Sequence, residues 1–248
     1  MDISVPKIIF ENDDFAVIDK PAGMLVHPAR PHEPIEGTIA GWLAQTWPET
    51  KTISDPYSQE LKYGIVHRLD KETSGVMVIA KNQAAFEELK TQFQSRSVGK
   101  TYQALVWGKM PQESGTIVRP IAKSREGTKR TTRPREHQMV RPAQTEWRIM
   151  ETLEDTTVQP GMPLTLLSLH PLTGRTHQLR VHCAAAGHPI LGDYLYGGAT
   201  SEQYRAILGR VFLHAATLSF SFKGITYSYS AALPEQLKRF LESLRPYG

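Results

Sequence analysis

Apolar positions recur along this chain with two different spacings. Ile8-Ile9-Phe10 and Phe15-Ala16-Val17-Ile18 are short apolar runs around an Asn12-Asp13-Asp14 turn, and they predict two strands. Lys20-Pro21-Ala22-Gly23 breaks the second. Thr38 to Trp47 predicts a short helix, and a polar loop runs from about Thr50 to Lys62. Gly75 to Ala80 is continuously apolar, which predicts a buried strand. Asn82 then caps a helix whose stripe is Phe86, Leu89 and Phe93, at i, i+3 and i+7. Lys100 to Trp107, Thr145 to Met150 and Leu164 to Leu169 predict further strands. Thr176 to Ala186 predicts a helix that stops at Gly187. Val211 to Phe222 and Ile225 to Ser230 predict a hairpin around Lys223-Gly224. A last helix opens with Pro234 at its first turn, with Leu237, Phe240, Leu241 and Leu244 on its apolar face. Strands and helices mix without strict alternation, so the class is α+β.

At 248 residues the chain fits one large domain or two small ones, and no repeat or linker divides it. The expectation is a single domain over residues 1–248. Apolar residues at 40% and charged residues at 22% exclude a disordered chain. Cys183 is the only cysteine, which excludes an internal disulfide and a thiolate metal cluster and fits a reducing cytoplasm. No secretory pattern opens the chain, and no run of about 18 apolar residues predicts a membrane span.

The net charge of +4 hints only mildly at an anionic partner, but its distribution says more. From Arg119 to Arg141 there are eight Lys or Arg and two Glu, a local charge of +6 that leaves −2 for the rest. Charge so concentrated suits a phosphate-facing element.

Candidate chemistry centres on His67-Arg68-Leu69-Asp70-Lys71-Glu72-Thr73-Ser74-Gly75. A carboxylate here sits in a turn just before a buried strand, a rigid mount for a reactive group. Taken alone, Asp70 reads more simply as a turn-capping carboxylate. A kinase reading of His-Arg-Asp fails, because Leu69 intervenes and no Asp-Phe-Gly or Gly-rich phosphate loop exists. A glycosidase would need a second carboxylate about 5–10 Å away, and Glu72, the nearest in sequence, lacks an apolar setting. His67, His170, His177, His182 and His188 match no zinc spacing, so no metal is expected.

The segment from His67 to Gly75 resembles the signature of the RluA-type pseudouridine synthases. Other segments resemble that family's motifs in the family's order: Asp19 to Pro28, Lys100 to Gly108, Leu172 to His182, Gly187 to Asp193, and Phe212 to Ala215. Asp19 departs slightly, since the family more often has Asn there. The resemblance implies a mixed, mostly antiparallel central sheet with flanking helices and an active-site cleft across the sheet. It also implies an isomerase without cofactors, converting uridine to pseudouridine in ribosomal or transfer RNA. Asp70 would be the nucleophile, Tyr102 the stacking aromatic and late proton acceptor, and Arg180 the partner of Asp70. Arg68 would fill the space left by the flipped uridine. Arg125, Lys129, Arg130, Arg133 and Arg135 would belong to an RNA-gripping loop. The implied partner is structured RNA, with no membrane, the protein acting as a monomer and without the family's N-terminal RNA-binding module. A non-catalytic RNA-binding or RNA-chaperone protein of the same fold is the competing expectation.

Overall fold

The computed structural model describes residues 5–28, 33–55, 61–125, 127 and 129–247. Met1 to Ser4, residues 56–60 of the expected polar loop, and Glu126 of the basic stretch lie outside the described residues. The elements in chain order are β1 (Lys7–Glu11), β2 (Phe15–Lys20), α1 (Ile39–Thr46), β3 (Ser74–Ala80), α2 (Gln83–Ser95), β4 (Gly99–Trp107), β5 (Ser114–Val118), β6 (Ala122–Lys123), β7 (Arg130–Thr131), β8 (Gln144–Glu154), β9 (Pro163–Pro171), α3 (Gln178–Ala185), α4 (Gly198–Leu208), β10 (Leu213–Phe222), β11 (Ile225–Ser230), α5 (Glu235–Glu242) and β12 (Arg245–Pro246). The class is α+β, and the pairs β1–β2, β2–β3, β4–β9, β5–β8, β6–β7, β8–β9, β8–β12 and β10–β11 are all antiparallel. The chain gathers into two compact units, one formed by Met1–Lys100 and Ala215–Ala232, the other by Thr101–His214 and Leu233–Gly248.

In the first unit the strand order is β1-β2-β3-β10, with β11 on β10. Every residue of β3 is buried, which is why its sequence runs apolar without alternation. Gly75 adopts φ +121°. A Cβ there would stand 2.1 Å from the Ala215 carbonyl oxygen, so this close approach requires glycine. The helix α2 begins where Asn82 Oδ1 accepts the Ala85 N–H at 2.9 Å. Its Phe86 and Leu89 join Phe15, Val78 and Phe220 in the core. The Phe15 and Phe220 rings meet edge to face at 5.3 Å, a favoured aromatic geometry. The expected hairpin β10–β11 turns at Lys223 and Gly224, both with positive φ.

The second unit has the order β4-β9-β8-β12, with β5 on β8 and β6–β7 as a separate two-residue ladder. Its own core includes Leu105, Leu164, Leu167, Tyr204, Phe212 and Phe240. Strand β8 continues to Glu154, beyond the expected end at Met150. The register shifts between Ile149 and Glu151, so Met150 is an extra residue, exposed, and the in–out alternation breaks there. Helix α3 starts two residues later than expected, because His177 takes φ +55° as its N-cap. Pro234 is likewise the N-cap of α5 rather than a residue of its first turn. Helix α4 had no predicted counterpart; it buries Ser201, Tyr204 and Leu208 at helical spacing.

Candidate active site

In the first unit, the loop carrying Asp70 is braced along its length. The His67 ring stacks on Phe93 of α2, with centroids 4.4 Å apart and planes 13° apart. Its Nε2 accepts the Val78 backbone N–H at 3.1 Å. An accepting Nε2 carries no proton, so His67 is neutral here. Burial, followed by the charge of Lys100, pushes its pKa down to about 3. Arg68 is exposed and Leu69 is buried, so the chain alternates outward and inward just before Asp70. Asp70 is half-buried, and its carbonyl accepts the Thr73 N–H at 3.1 Å, closing the turn into β3. The carbonyl of the next residue, Lys71, accepts the Gly23 N–H at 2.8 Å and the Lys20 ammonium at 3.2 Å.

Lys20 is fully buried and also donates to the Pro21 carbonyl at 2.7 Å. Burying an ammonium is costly unless it is hydrogen-bonded. Here its bonds tie the end of β2 to the Asp70 turn. In residue order Lys20 opens the strand-breaking segment Lys20-Pro21-Ala22-Gly23. Its membership of the Asp19 to Pro28 motif was the available signal.

In the second unit, Tyr102 lies on β4 opposite Leu169 of β9, half-buried and packed against the core. Arg180 lies on α3 and is buried, not on a solvated helical face. Its Nε and NH2 donate to Oδ2 and Oδ1 of Asp193, both at 2.7 Å. The guanidinium also lies 5.4 Å from the Tyr196 ring centre and 6.0 Å from that of Tyr194. Asp193, fully buried, further accepts the Leu195 and Tyr196 N–H groups at 3.0 and 3.2 Å. A planar, bidentate, ring-flanked cation is held in one orientation, a role arginine fills and lysine does not. Asp193 ends the Gly187 to Asp193 motif, and nothing in residue order marks it as the partner of Arg180.

The basic stretch is partly ordered by β6 and β7. Arg125, Arg133 and Arg135 are exposed, whereas Lys129 and Arg130 are half-buried. The Arg130 backbone N–H donates to the Tyr196 hydroxyl at 2.9 Å, and that hydroxyl also meets His177 Nδ1 at 2.9 Å. One tyrosine thus touches the basic ribbon through its hydroxyl and Arg180 through its ring. Arg119 at the start of the stretch is exposed, and its carbonyl accepts from Nε2 of the buried His182 at 3.0 Å. His182 Nδ1 in turn pairs with the Thr145 hydroxyl at 2.9 Å. Among the described residues, no three His, Cys, Asp or Glu side chains are grouped to hold a metal.

A model of the RNA pseudouridylate synthase family matches residues 14–185. An uncharacterised RNA pseudouridine synthase of Chlorobaculum parvum is 40% identical over 96% of this chain and 74% of its own length. The ribosomal large subunit pseudouridine synthase D of Yersinia pestis is 37% identical over 96% of this chain and 70% of its own. Among solved structures, human RNA pseudouridylate synthase domain containing 1 superimposes with a TM-score of 0.76 at 27% identity, covering 99% of this chain and 90% of that one. The chain therefore belongs to the RNA pseudouridylate synthase family, on its RluA-type branch, and is an RNA-modifying isomerase.

Proposed function

We propose that this enzyme isomerises specific uridines in ribosomal RNA with Asp70 as the nucleophile, and that transfer RNA is the second substrate class to test. The single observation that carries the nucleophile assignment is the bracing of the Asp70 turn by His67, Leu69 and the Lys71 carbonyl. A carboxylate on a turn held at both flanks is pre-positioned, and pre-positioning is what an attacking group needs. Ribosomal RNA comes first because the Yersinia pestis relative bears that substrate in its name.

The reaction breaks the N1–C1′ bond, turns the uracil, and rejoins it through C5. Reactant and product are isomers, so neither an energy source nor a redox partner enters the balance. Asp70 attacks either C1′ of the sugar or C6 of the ring, a covalent use of a carboxylate. Tyr102 stacks on the turned ring, and its oxygen accepts the proton that leaves C5 while N1, freed from C1′, takes up one in its place, so the isomerisation neither gains nor loses a proton. Arg180 acts as the partner of the Asp70 carboxylate and fixes its direction. The target base must first leave its stack, which costs a few kcal/mol, and exposed Arg68 fills the vacated space. Arg125, Lys129, Arg130, Arg133 and Arg135 grip the backbone. The protein works as a monomer in the cytoplasm, its residues 1–248 acting as one catalytic domain.

The test is to incubate wild type and Asp70→Asn with ribosomal and transfer RNA lacking pseudouridine, then map carbodiimide-reactive sites. New sites with wild type and none with Asp70→Asn are expected. Sites that persist in Asp70→Asn would overturn the nucleophile, and RNA binding without new sites would assign the non-catalytic alternative.

A further inference from the structure

The second unit contains a cavity of about 260 Å³ between the end of β4 and the first turns of α4. One wall is the segment 189–191, which is seated on β4. The Trp107 N–H donates to the Pro189 carbonyl at 3.0 Å, the Leu191 N–H donates to the Leu105 carbonyl at 2.9 Å, and Val106 and Ile190 form an antiparallel bridge. The other wall is α4. There Tyr204 is fixed by the bond from its hydroxyl to Asp155, and its ring meets that of Trp107 edge to face at 5.8 Å. Both walls are held in place by the fold itself, so a ligand would find the cavity already shaped.

Ser201 of α4 also lines this cavity. It is 4% exposed, and its Oγ has no hydrogen-bond partner among the described residues. A helical serine ordinarily reaches water or bonds back to the carbonyl four residues earlier. This one does neither. A Cβ at Gly197 would stand 2.5 Å from that Oγ, so glycine at 197 leaves the hydroxyl its room. A buried hydroxyl is costly until something bonds it. The described lining residues include no charged side chain, and most are apolar or aromatic. An apolar cavity of roughly 150 Å³ holds one benzene ring, so this volume suits two fused rings. Size, neutrality and a single unmet hydroxyl together define the ligand.

We propose that this cavity binds a neutral bicyclic heteroaromatic molecule, its ring nitrogen accepting the Ser201 hydroxyl and its rings against Trp107, Ile190 and Tyr204. The proposal does not rest on the role given to Asp70, and its test needs no turnover. The full chain is titrated with quinoline and with naphthalene, which has the same shape without the ring nitrogen. The indole N–H signal of Trp107, assigned with Trp107→Phe, is followed by NMR. Quinoline should bind at least about fivefold more tightly than naphthalene, the increment of one hydrogen bond. Ser201→Ala should bring the two ligands to equal affinity. Its urea midpoint should be no lower than that of wild type, because the lost hydroxyl bonds nothing among the described residues. Ser201→Leu should fill the cavity and abolish binding of both. Equal affinities on wild type, a preference for quinoline that survives Ser201→Ala, or no shift at Trp107 would each overturn the site. The comparison of the two ligands on wild type needs no variant, so it decides the matter even if a substituted chain fails to fold.

Discussion

Arg180 and Asp193 hold each other through two parallel 2.7 Å hydrogen bonds, with side-chain exposures of 4% and 0%. Enclosed this completely, the pair is fixed in direction and barely screened by salt. Breaking such a pair by removing one member strands the other as a buried charge. Asp193→Ala should therefore lower unfolding stability by about 3–5 kcal/mol, read from urea denaturation. Asp193→Asn, which keeps the Leu195 and Tyr196 N–H acceptor, should lose less; equal losses would show that charge is not the issue.

Tyr196 couples the basic ribbon to this pair. Tyr196→Phe keeps the ring beside Arg180 but releases the Arg130 N–H and His177. A stability loss of about 1 kcal/mol is expected, with a larger fall in RNA affinity, measured by fluorescence anisotropy. Unchanged RNA affinity would show that the ribbon does not need this tie.

The His67 ring makes the Asp70 turn sensitive to acid. Its folded pKa, about 3, lies below the ordinary value of 6.5, so the unfolded chain binds the proton first. Its contribution is complete above pH 6.5 and fades as pH falls toward 3, by up to about 1.4 kcal/mol per pH unit. His67→Gln retains an acceptor for the Val78 N–H and does not titrate. The wild type minus His67→Gln difference in urea midpoint should thus shrink between pH 6.5 and 4; parallel profiles would remove His67 as the titrating group.

Asp155 is fully buried and collects N–H bonds from Thr157, Val158 and Gln159, and the hydroxyls of Thr157 and Tyr204. Burial alone would raise its pKa, but these donors, Tyr204 foremost, hold it below its ordinary 3.8. Its stabilisation is present above that value and is lost as pH falls below it. Tyr204→Phe should cost about 1–3 kcal/mol at neutral pH and move acid unfolding to higher pH, followed by tryptophan fluorescence. An unmoved acid midpoint would argue against this account.

Arg125, Arg133 and Arg135 are exposed, so replacing all three with Gln should leave the fold intact. The log–log salt slope of RNA binding should become shallower by about 2, at about 0.7 per single-strand phosphate contact. An unchanged slope would place the RNA elsewhere.

Much of this was legible from residue order. The stripe Phe86, Leu89 and Phe93 announced α2, and Lys223-Gly224 announced the β10–β11 turn, because local spacing alone specifies both. The Asp70 segment stood out because motifs are contiguous. Only its place in the Asp19 to Pro28 motif singled out Lys20, and its burial under the Asp70 turn did not follow from that, since lysine ordinarily sits in solvent and its acceptor lies 51 residues away. The Arg180–Asp193 pair spans 13 residues across a helix end, a distance that no periodicity reports. Strand β8 outran its expected end because the extra residue Met150 breaks the alternation on which such readings depend.

The threading of the first unit also sets a timetable for biosynthesis. Its core needs Leu218, Phe220 and Phe222, which leave the ribosome only after the whole Thr101–His214 stretch. At about 5–20 residues per second, Phe15, Val78 and Phe86 wait roughly 7 to 40 seconds for their last packing partners. Nascent chains stalled before residue 215 should therefore be protease-sensitive in their first hundred residues and should recruit chaperones that cover apolar surface.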